Sequence, residues 1–337
     1  MFTYIIRRIF MMIPTLFGIT ILSFVIINLA PGGPIEQKLQ AMRMGGAMGG
    51  NGRSTGVSEE VVAALKKQYG FDKPLLVRYG IWIRNISRLD FGNSFKYEEP
   101  VIDVIKSKFP VSIMFGIVSF VLTYLVCIPL GVAKAIRDGS RFDRWTSFIL
   151  FFLYSIPPLM LGILMLVYFA GSSHLDILPM GYLVSDNYDS LTLGGKIWDR
   201  CLHAIMPLTC YMIGSFTFLT LMMKNSLIDV IKMDYIRTAQ AKGLDNRKVY
   251  MKHALRNALI PIITGMSGVL TLFFSGSIIV ERIFQLDGMG LLSLTAAESR
   301  DYNVLMGLIF LEGVMFLVAR LISDVLYVVV DPRIDFT

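Results

Sequence analysis

Few side chains in this sequence are placed to do chemistry. The last long apolar run carries Glu312, Arg320 and Asp324, each separated from the next by a multiple of four. An earlier apolar run carries Thr264, Ser267, Thr271 and Ser275, spaced three, four and four, with Gly265, Gly268 and Gly276 beside them. Hydroxyls in such a row can line a path for a polar solute. Small residues also let two helices approach closely, and both readings stand. A third feature is basic: Lys224 to Pro261 holds Lys224, Lys232, Arg237, Lys242, Arg247, Lys248, Lys252 and Arg256 against Asp229, Asp234 and Asp245. The familiar catalytic constellations are missing. There is no Gly-x-x-x-x-Gly-Lys-Ser/Thr phosphate loop, no His-Glu-x-x-His and no serine nucleophile elbow. Cys127, Cys201 and Cys210 have no metal or redox spacing, and His174, His203 and His253 form no cluster.

The elements that must position these residues are membrane helices. Of 337 residues 54% are hydrophobic and only 17% charged, against about 25% charged in soluble domains. The net charge of +7 comes from basic residues in short loops beside apolar runs, which is the topology bias of membrane proteins and not a nucleic-acid footprint. Runs at 9–29, 111–133, 146–170 (bent at Pro157-Pro158), 202–223, 259–280 and 304–330 are each long enough to cross, since about 20 residues span the hydrocarbon core. The expected fold is an all-α polytopic membrane protein of about six transmembrane helices. It divides into a first helix (1–30), a small extracytoplasmic segment (31–110) and a five-helix core (111–337). Arg7-Arg8, the basic loop 134–144 and the stretch 224–261 all favour the cytoplasm, whereas the acidic loop 171–200 favours the outside, so both termini are expected to be cytoplasmic. In the outer segment Gly45–Gly56 should be mobile, helices are expected over Ser58–Tyr69 and Leu75–Leu89, and Asp90-Phe-Gly-Asn-Ser94 reads as a turn.

A charge at mid-membrane costs a few kcal/mol and by default marks function or a structural pair. Glu312 lies about eight residues inside its run, roughly 12 Å deep, and is a candidate pathway residue. Arg320 and Asp324, one turn apart, are expected to pair structurally. Within the basic stretch, Tyr235 to Lys242 reads as a short helix with little bulk at Ala239 and Ala241. Gly243 stops it, as a residue able to take positive φ does. A second helix runs from Asn246 through His253 and Leu255 to Pro261. Helix, glycine break and helix make a knob that another protein's groove could accept; a solvated basic loop is the plainer alternative.

The residues themselves resemble a family. Arg237-Thr-Ala-Gln-Ala-Lys-Gly243 with His253-Ala-Leu-Arg-Asn-Ala-Leu-Ile-Pro261 is similar to the "EAA" loop of ATP-binding-cassette importer permeases, with Arg237 and Thr238 in place of that motif's glutamate and first alanine. Ala30-Pro-Gly-Gly-Pro34, Tyr69-Gly-Phe-Asp-Lys-Pro74, Asp90–Ser94, Pro129-Leu-Gly131, Ser299-Arg-Asp-Tyr302 and Val330-Asp-Pro-Arg333 extend the likeness over nearly the whole chain. They resemble the first permease of dipeptide/oligopeptide importers, while Ser140-Arg-Phe-Asp143, Ser185-Asp-Asn-Tyr-Asp-Ser-Leu191 and Arg333-Ile-Asp-Phe336 are most similar to the branch that takes up peptides including microcin C. The resemblance implies a type I importer fold in the bacterial cytoplasmic membrane. It implies a coupling loop of Tyr235, Arg237, Thr238, Ala239, Ala241, Lys242, Gly243, Leu244, His253, Leu255 and Pro261 docking into an ATPase. The implied partners are a second homologous permease in a heterodimer, two ATPase subunits or one fused pair, an extracytoplasmic solute-binding protein and a peptide. ATP and Mg would bind the ATPases, with no cofactor on this chain. The same architecture importing nickel or glutathione is the rival within the family. A stand-alone channel, a secondary carrier and an intramembrane enzyme are rivals of other classes, for which the sequence offers no filter, acidic relay or nucleophile.

Overall fold

The computed structural model describes residues 2–29, 72–170, 175–266 and 276–330, and among these there is no β-strand. The elements are α1 (Phe2–Leu29), α2 (Leu75–Ile86), α3 (Val101–Ile136), α4 (Arg141–Tyr154), α5 (Pro158–Phe169), α6 (Leu193–Ile231), α7 (Asp234–Ala241), α8 (Asn246–Lys248), α9 (Leu255–Ala258), α10 (Ile278–Ile283), α11 (Met289–Glu298) and α12 (Tyr302–Val330). A π-helical turn, Val249–Ala254, joins α8 to α9, and residues 260–266 are largely helical.

Among the described residues α1, α3, α6 and α12 are long and apolar enough to cross a membrane, and α4 with α5 makes a fifth crossing if that bent pair counts as one. The bend is sharper than the sequence suggested. The axes of α4 and α5 differ by 92°, so the expected single bent span is either a broken one or a re-entrant pair. Proline explains it: Pro157 and Pro158 cannot donate to the preceding turn, and each biases the residue before it away from helical backbone. Ser140 caps α4, its Oγ accepting from Asp143 N at 3.2 Å, so this helix begins five residues before the expected span. α3 and α6 likewise start earlier than their apolar runs, at Val101 and Leu193, and α6 continues through Lys224 to Ile231. The expected span 259–280 runs into 267–275, outside the described residues, as do Gly45–Gly56, Ser58–Tyr69 and the tail after Val330.

The chain forms two compact units. The smaller comprises Ile6–Lys108 and Leu292–Val314. Its helices meet through aromatic rings: Phe24 lies edge-on to Tyr79 at 5.3 Å, and Phe310 contacts Trp82 and Phe91 at 6.4 and 6.0 Å. Thr20 Oγ1 and Tyr79 OH share a hydrogen bond of 2.9 Å. Asp301 is fully buried and gathers the loop before α3, accepting from Ser94 Oγ at 2.5 Å, Phe95 N at 2.8 Å and Lys96 N at 3.1 Å. Its other oxygen accepts from Val304 N at 3.2 Å, capping α12. Asn303 Nδ2 donates to Asn93 O at 2.7 Å. The Asp90–Ser94 and Ser299–Tyr302 motifs, two hundred residues apart, are thus one structural joint.

The larger unit comprises Met1–Ile5, Phe109–Leu291 and Met315–Thr337. Here α3 and α6 touch at Gly131, where an added Cβ would sit 2.6 Å from Met223 Cβ and 2.8 Å from Thr220 O. Lys134, with no exposed surface, donates to Asp143 O, Thr146 Oγ1 and Ser147 Oγ at 2.7–2.9 Å and pairs with Asp143 Oδ1 at 3.0 Å. Lys224 reaches Asp143 at 2.7 Å and Asp138 at 2.8 Å. The sequence placed Lys224 in the basic loop between spans; it is a helical residue that ties α6 to the 138–143 turn.

Candidate functional site

The basic stretch after α6 is helical and packed inward. On α7, Ile236 is fully buried. Val249, Ala254 and Ala258 follow it into a cluster with Cys127 and Val132 of α3 and Leu219, Met223 and Leu227 of α6. Burying a side chain such as Ile236 or Val249 contributes about 1.5–3 kcal/mol each, so the stretch is held by packing as well as by its own backbone. Gly243 N donates to Gln240 O at 2.9 Å and Leu244 N to Ala239 O at 3.4 Å, which closes α7 in a left-handed turn. Gly243 has φ +78°, and nothing lies within 4 Å of where its Cβ would be. Its constraint is backbone conformation, not space. The second helix restarts at Asn246, whose Oδ1 accepts from Gln240 Nε2 at 3.1 Å, bridging the break. Asn257 Nδ2 donates to Tyr235 OH at 2.8 Å, bridging the far ends.

The residues picked out in this stretch divide between two faces. Arg237, Thr238, Ala241, Lys242, Gly243, Leu244 and His253 are exposed. Arg237 lies 3.7 Å from Asp234 in a solvent-exposed pair, and the Thr238 hydroxyl donates to Asp234 O at 2.9 Å. Ala239 and Leu255 pack against the interior cluster instead, so the small side chain of Ala239 lets α7 lie close to its own scaffold. Tyr235, His253 and Pro261 line an open groove of about 1,350 Å³ between α6 and the 252–261 stretch, together with Asp229, Lys252 and Arg256.

A second site escaped the sequence reading. Glu281 on α10 has no exposed surface. Its Oε1 accepts from Ser112 Oγ at 2.8 Å, Tyr211 OH at 3.2 Å and Ser277 N at 3.3 Å, and its Oε2 from Leu291 N at 2.7 Å. Ser112 Oγ also accepts from Met289 N at 2.7 Å, so carboxylate and hydroxyl together satisfy two of the orphan donors at the start of α11. One carboxyl group therefore joins α3, α6, α10 and α11. Burial pushes its pKa above the usual carboxylate value, against the pull of the four donors. Gly276, at φ +66°, Gly288 and Gly290 leave room for this: a Cβ on Gly276 or Gly288 would collide with the Glu281 carboxyl group, and one on Gly290 would come within 2.6 Å of Ile278 N. The signal available in the sequence was an acid closing an apolar run, flanked by three glycines within fifteen residues.

The candidate pathway residues are only partly described. Thr264 is exposed and its hydroxyl donates to Ile260 O at 3.0 Å, while Ser267, Thr271 and Ser275 lie outside the described residues. Glu312 is half-buried on α12. Arg320 and Asp324 do not form the expected pair. Arg320 is exposed, Asp324 is half-buried, and no ion pair within 4 Å joins them. Helical side chains lean toward the N-terminus, so a cation preceding an acid by four residues is the less favourable order. No group of three or more potential metal ligands occurs among the described residues.

Long apolar helices, with a helix–glycine–helix stretch packed on two of them, define a protein of the integral membrane class. The family model described as "Binding-protein-dependent transport system inner membrane component" matches residues 127–336, and the chain belongs to that family. It is 42% identical to the peptidoglycan transport system permease protein YejB of Agrobacterium fabrum and 40% identical to the inner membrane ABC transporter permease protein YejB of Escherichia coli O157:H7. Each alignment covers 99% of this chain and 98% of the relative. It is also 34% identical, over the full length of both chains, to the oligopeptide transport system permease protein AppB of Bacillus subtilis. The chain is thus a permease component and not itself an enzyme.

Proposed function

We propose that this chain is the membrane permease of an ATP-driven peptide importer, and that Asp234–Ala258 is where the ATPase's stroke enters it. The names of the relatives supply the solute class: oligopeptides for one, peptidoglycan for another. One observation carries the mechanical part. The stretch buries Ile236, Val249, Ala254 and Ala258 against α3 and α6 while presenting Arg237, Thr238, Ala241, Lys242 and Leu244 to solvent. A force on the outer face therefore moves α3 and α6 with it, because a close-packed interior transmits displacement instead of absorbing it.

In this reading two ATPase subunits, or one fused pair, bind ATP and Mg²⁺ and dock at that face. A second homologous permease completes the pathway, and a solute-binding protein delivers peptide from outside. Closure of the ATPases switches the pathway between inward- and outward-facing states. Thr264, Ser267, Thr271, Ser275 and Glu312 are its candidate lining. The excess of basic residues in the 134–144 and 224–261 stretches favours a cytoplasmic side for both termini. The Lys224 contacts to Asp138 and Asp143 put the end of α6 on the same side as the basic 134–144 turn, as this orientation requires. The test is purification of the chain with its partner subunits and measurement of peptide uptake in proteoliposomes. Uptake should require ATP and a binding protein. Uptake by this chain alone, without an ATPase, would overturn the reading.

A further inference from the structure

Within the larger unit, the first turns of α3 beyond Pro110 and the start of α6 leave a groove of about 550 Å³. Its walls are apolar, formed by Val111, Met114 and Val118 on α3 and Ile197 and Ala204 on α6. Arg200 is the charged residue on its lining, beside Tyr188. The Arg200 guanidinium and the Lys196 ammonium both lie 5.1 Å from the centroid of the Tyr188 ring. Two cations on one ring concentrate positive charge, which a bound anion would offset. Neither is paired with a carboxylate within 4 Å among the described residues. The nearby Asp199 is committed elsewhere, accepting from Ser185 Oγ at 2.5 Å and Ser185 N at 3.0 Å beside buried His203. Asp186 and Asp189 line an adjoining cavity that shares Leu183, Val184 and Tyr188 with the groove, and neither acid forms an ion pair with Lys196 or Arg200. Around the groove, Leu193, Ile197 and Trp198 are exposed by 66–84%. An exposed tryptophan and a cation near the end of a membrane helix are the signature of the headgroup level.

We propose that this groove holds an anionic phospholipid, one acyl chain along Met114 and Val118 and the phosphate at Lys196 and Arg200. An apolar trough that ends in two cations matches an amphiphile with a negative head. It matches neither a free anion, which has no use for the trough, nor a neutral lipid, which leaves the cations uncompensated. The site lies apart from the coupling stretch and rests only on α3 and α6 being membrane helices.

The test uses the complete importer, reconstituted with equal phosphatidylglycerol and phosphatidylcholine and then extracted gently for native mass spectrometry. Retained lipid should favour phosphatidylglycerol, on the order of tenfold given two cations at the membrane surface. The double variant Lys196→Gln/Arg200→Gln should bring the ratio to that of the bulk bilayer while the complex stays assembled. Met114→Trp, which fills the trough, should reduce retention of both lipids. An unchanged preference in the double variant overturns the proposal. So does a second result: Cys201 is exposed on the lining, whereas Cys127 and Cys210 are buried, so a short cysteine-reactive photocross-linker reports what covers the groove. Cross-links to lipid support the proposal. Cross-links to the second permease show that the groove is a subunit interface.

Discussion

Removing the Glu281 carboxylate should destabilise the membrane part more than any surface change of equal size. In Glu281→Ala, Leu291 N loses its acceptor, and the hydroxyl protons of Ser112 and Tyr211 lose theirs. Ser277 N keeps Tyr211 OH at 3.0 Å, and Met289 N keeps Ser112 Oγ. Three buried donors are left without an acceptor, each costing about 1–3 kcal/mol, and neighbouring losses of this kind do not add fully. A total of about 3–5 kcal/mol follows, comparable to breaking a buried charged pair. Glu281→Gln keeps one oxygen for the donors now on Oε1 but turns an amide toward Leu291 N, so a single donor suffers and the cost is about 1–3 kcal/mol. The assay is the fraction of detergent-solubilised complex that remains monodisperse after heating. For Glu281→Ala the midpoint should fall by at least about 5 °C, taking the shift per kcal/mol usual for large domains, with Glu281→Gln between it and wild type. Equal midpoints for Glu281→Ala and wild type would show that water replaces the carboxylate and that the clamp does not hold these four helices.

Other outcomes follow from the same packing. Gly131→Val should separate α3 from α6, since its Cβ falls 2.6 Å from Met223 Cβ; overpacking costs about 1–3 kcal/mol and should lower the same heating midpoint. Asp301→Ala should release the loop around Ser94, exposing the chain near Phe95–Tyr97 to limited proteolysis while the complex still assembles; an unchanged cleavage pattern refutes the joint. Glu312→Gln should change peptide uptake several-fold with normal expression and assembly, and an unaltered uptake rate removes it from the candidate pathway.

What could be read from the sequence was what is local. The Gly243 break depends on one residue's freedom at positive φ and on hydrogen bonds to residues three and five positions back, so it was visible. The long apolar helices were visible for the same reason, because a backbone in lipid must satisfy itself within the segment. What stayed hidden depends on partners far along the chain. Lys224 looked like a loop cation because Asp138 and Asp143 lie more than eighty residues before it. Glu281 looked like the first residue of an outer loop because Ser112 and Tyr211 belong to other helices. Ala239 seemed to offer a small outer face, yet helical phase turns it onto the cluster under Ile236. The proline pair announced a bend but not its angle, and the reversed order of Arg320 and Asp324 weighed against a pairing that spacing alone suggested.

On the proposed function, the turn at Gly243 fixes the direction in which the exposed face of α7 meets the ATPase. Gly243→Val cannot hold φ +78° without strain on the order of 1–3 kcal/mol, and since no atom crowds the position, nothing but backbone geometry is changed. Gly243→Asn, which tolerates that backbone, is the control. The measurement is ATP hydrolysis by the reconstituted importer with and without peptide-loaded binding protein. Gly243→Val should still assemble with the second permease but lose the peptide-stimulated rate or its bound ATPase, with Gly243→Asn close to wild type. Wild-type stimulation and full ATPase occupancy in Gly243→Val would contradict it.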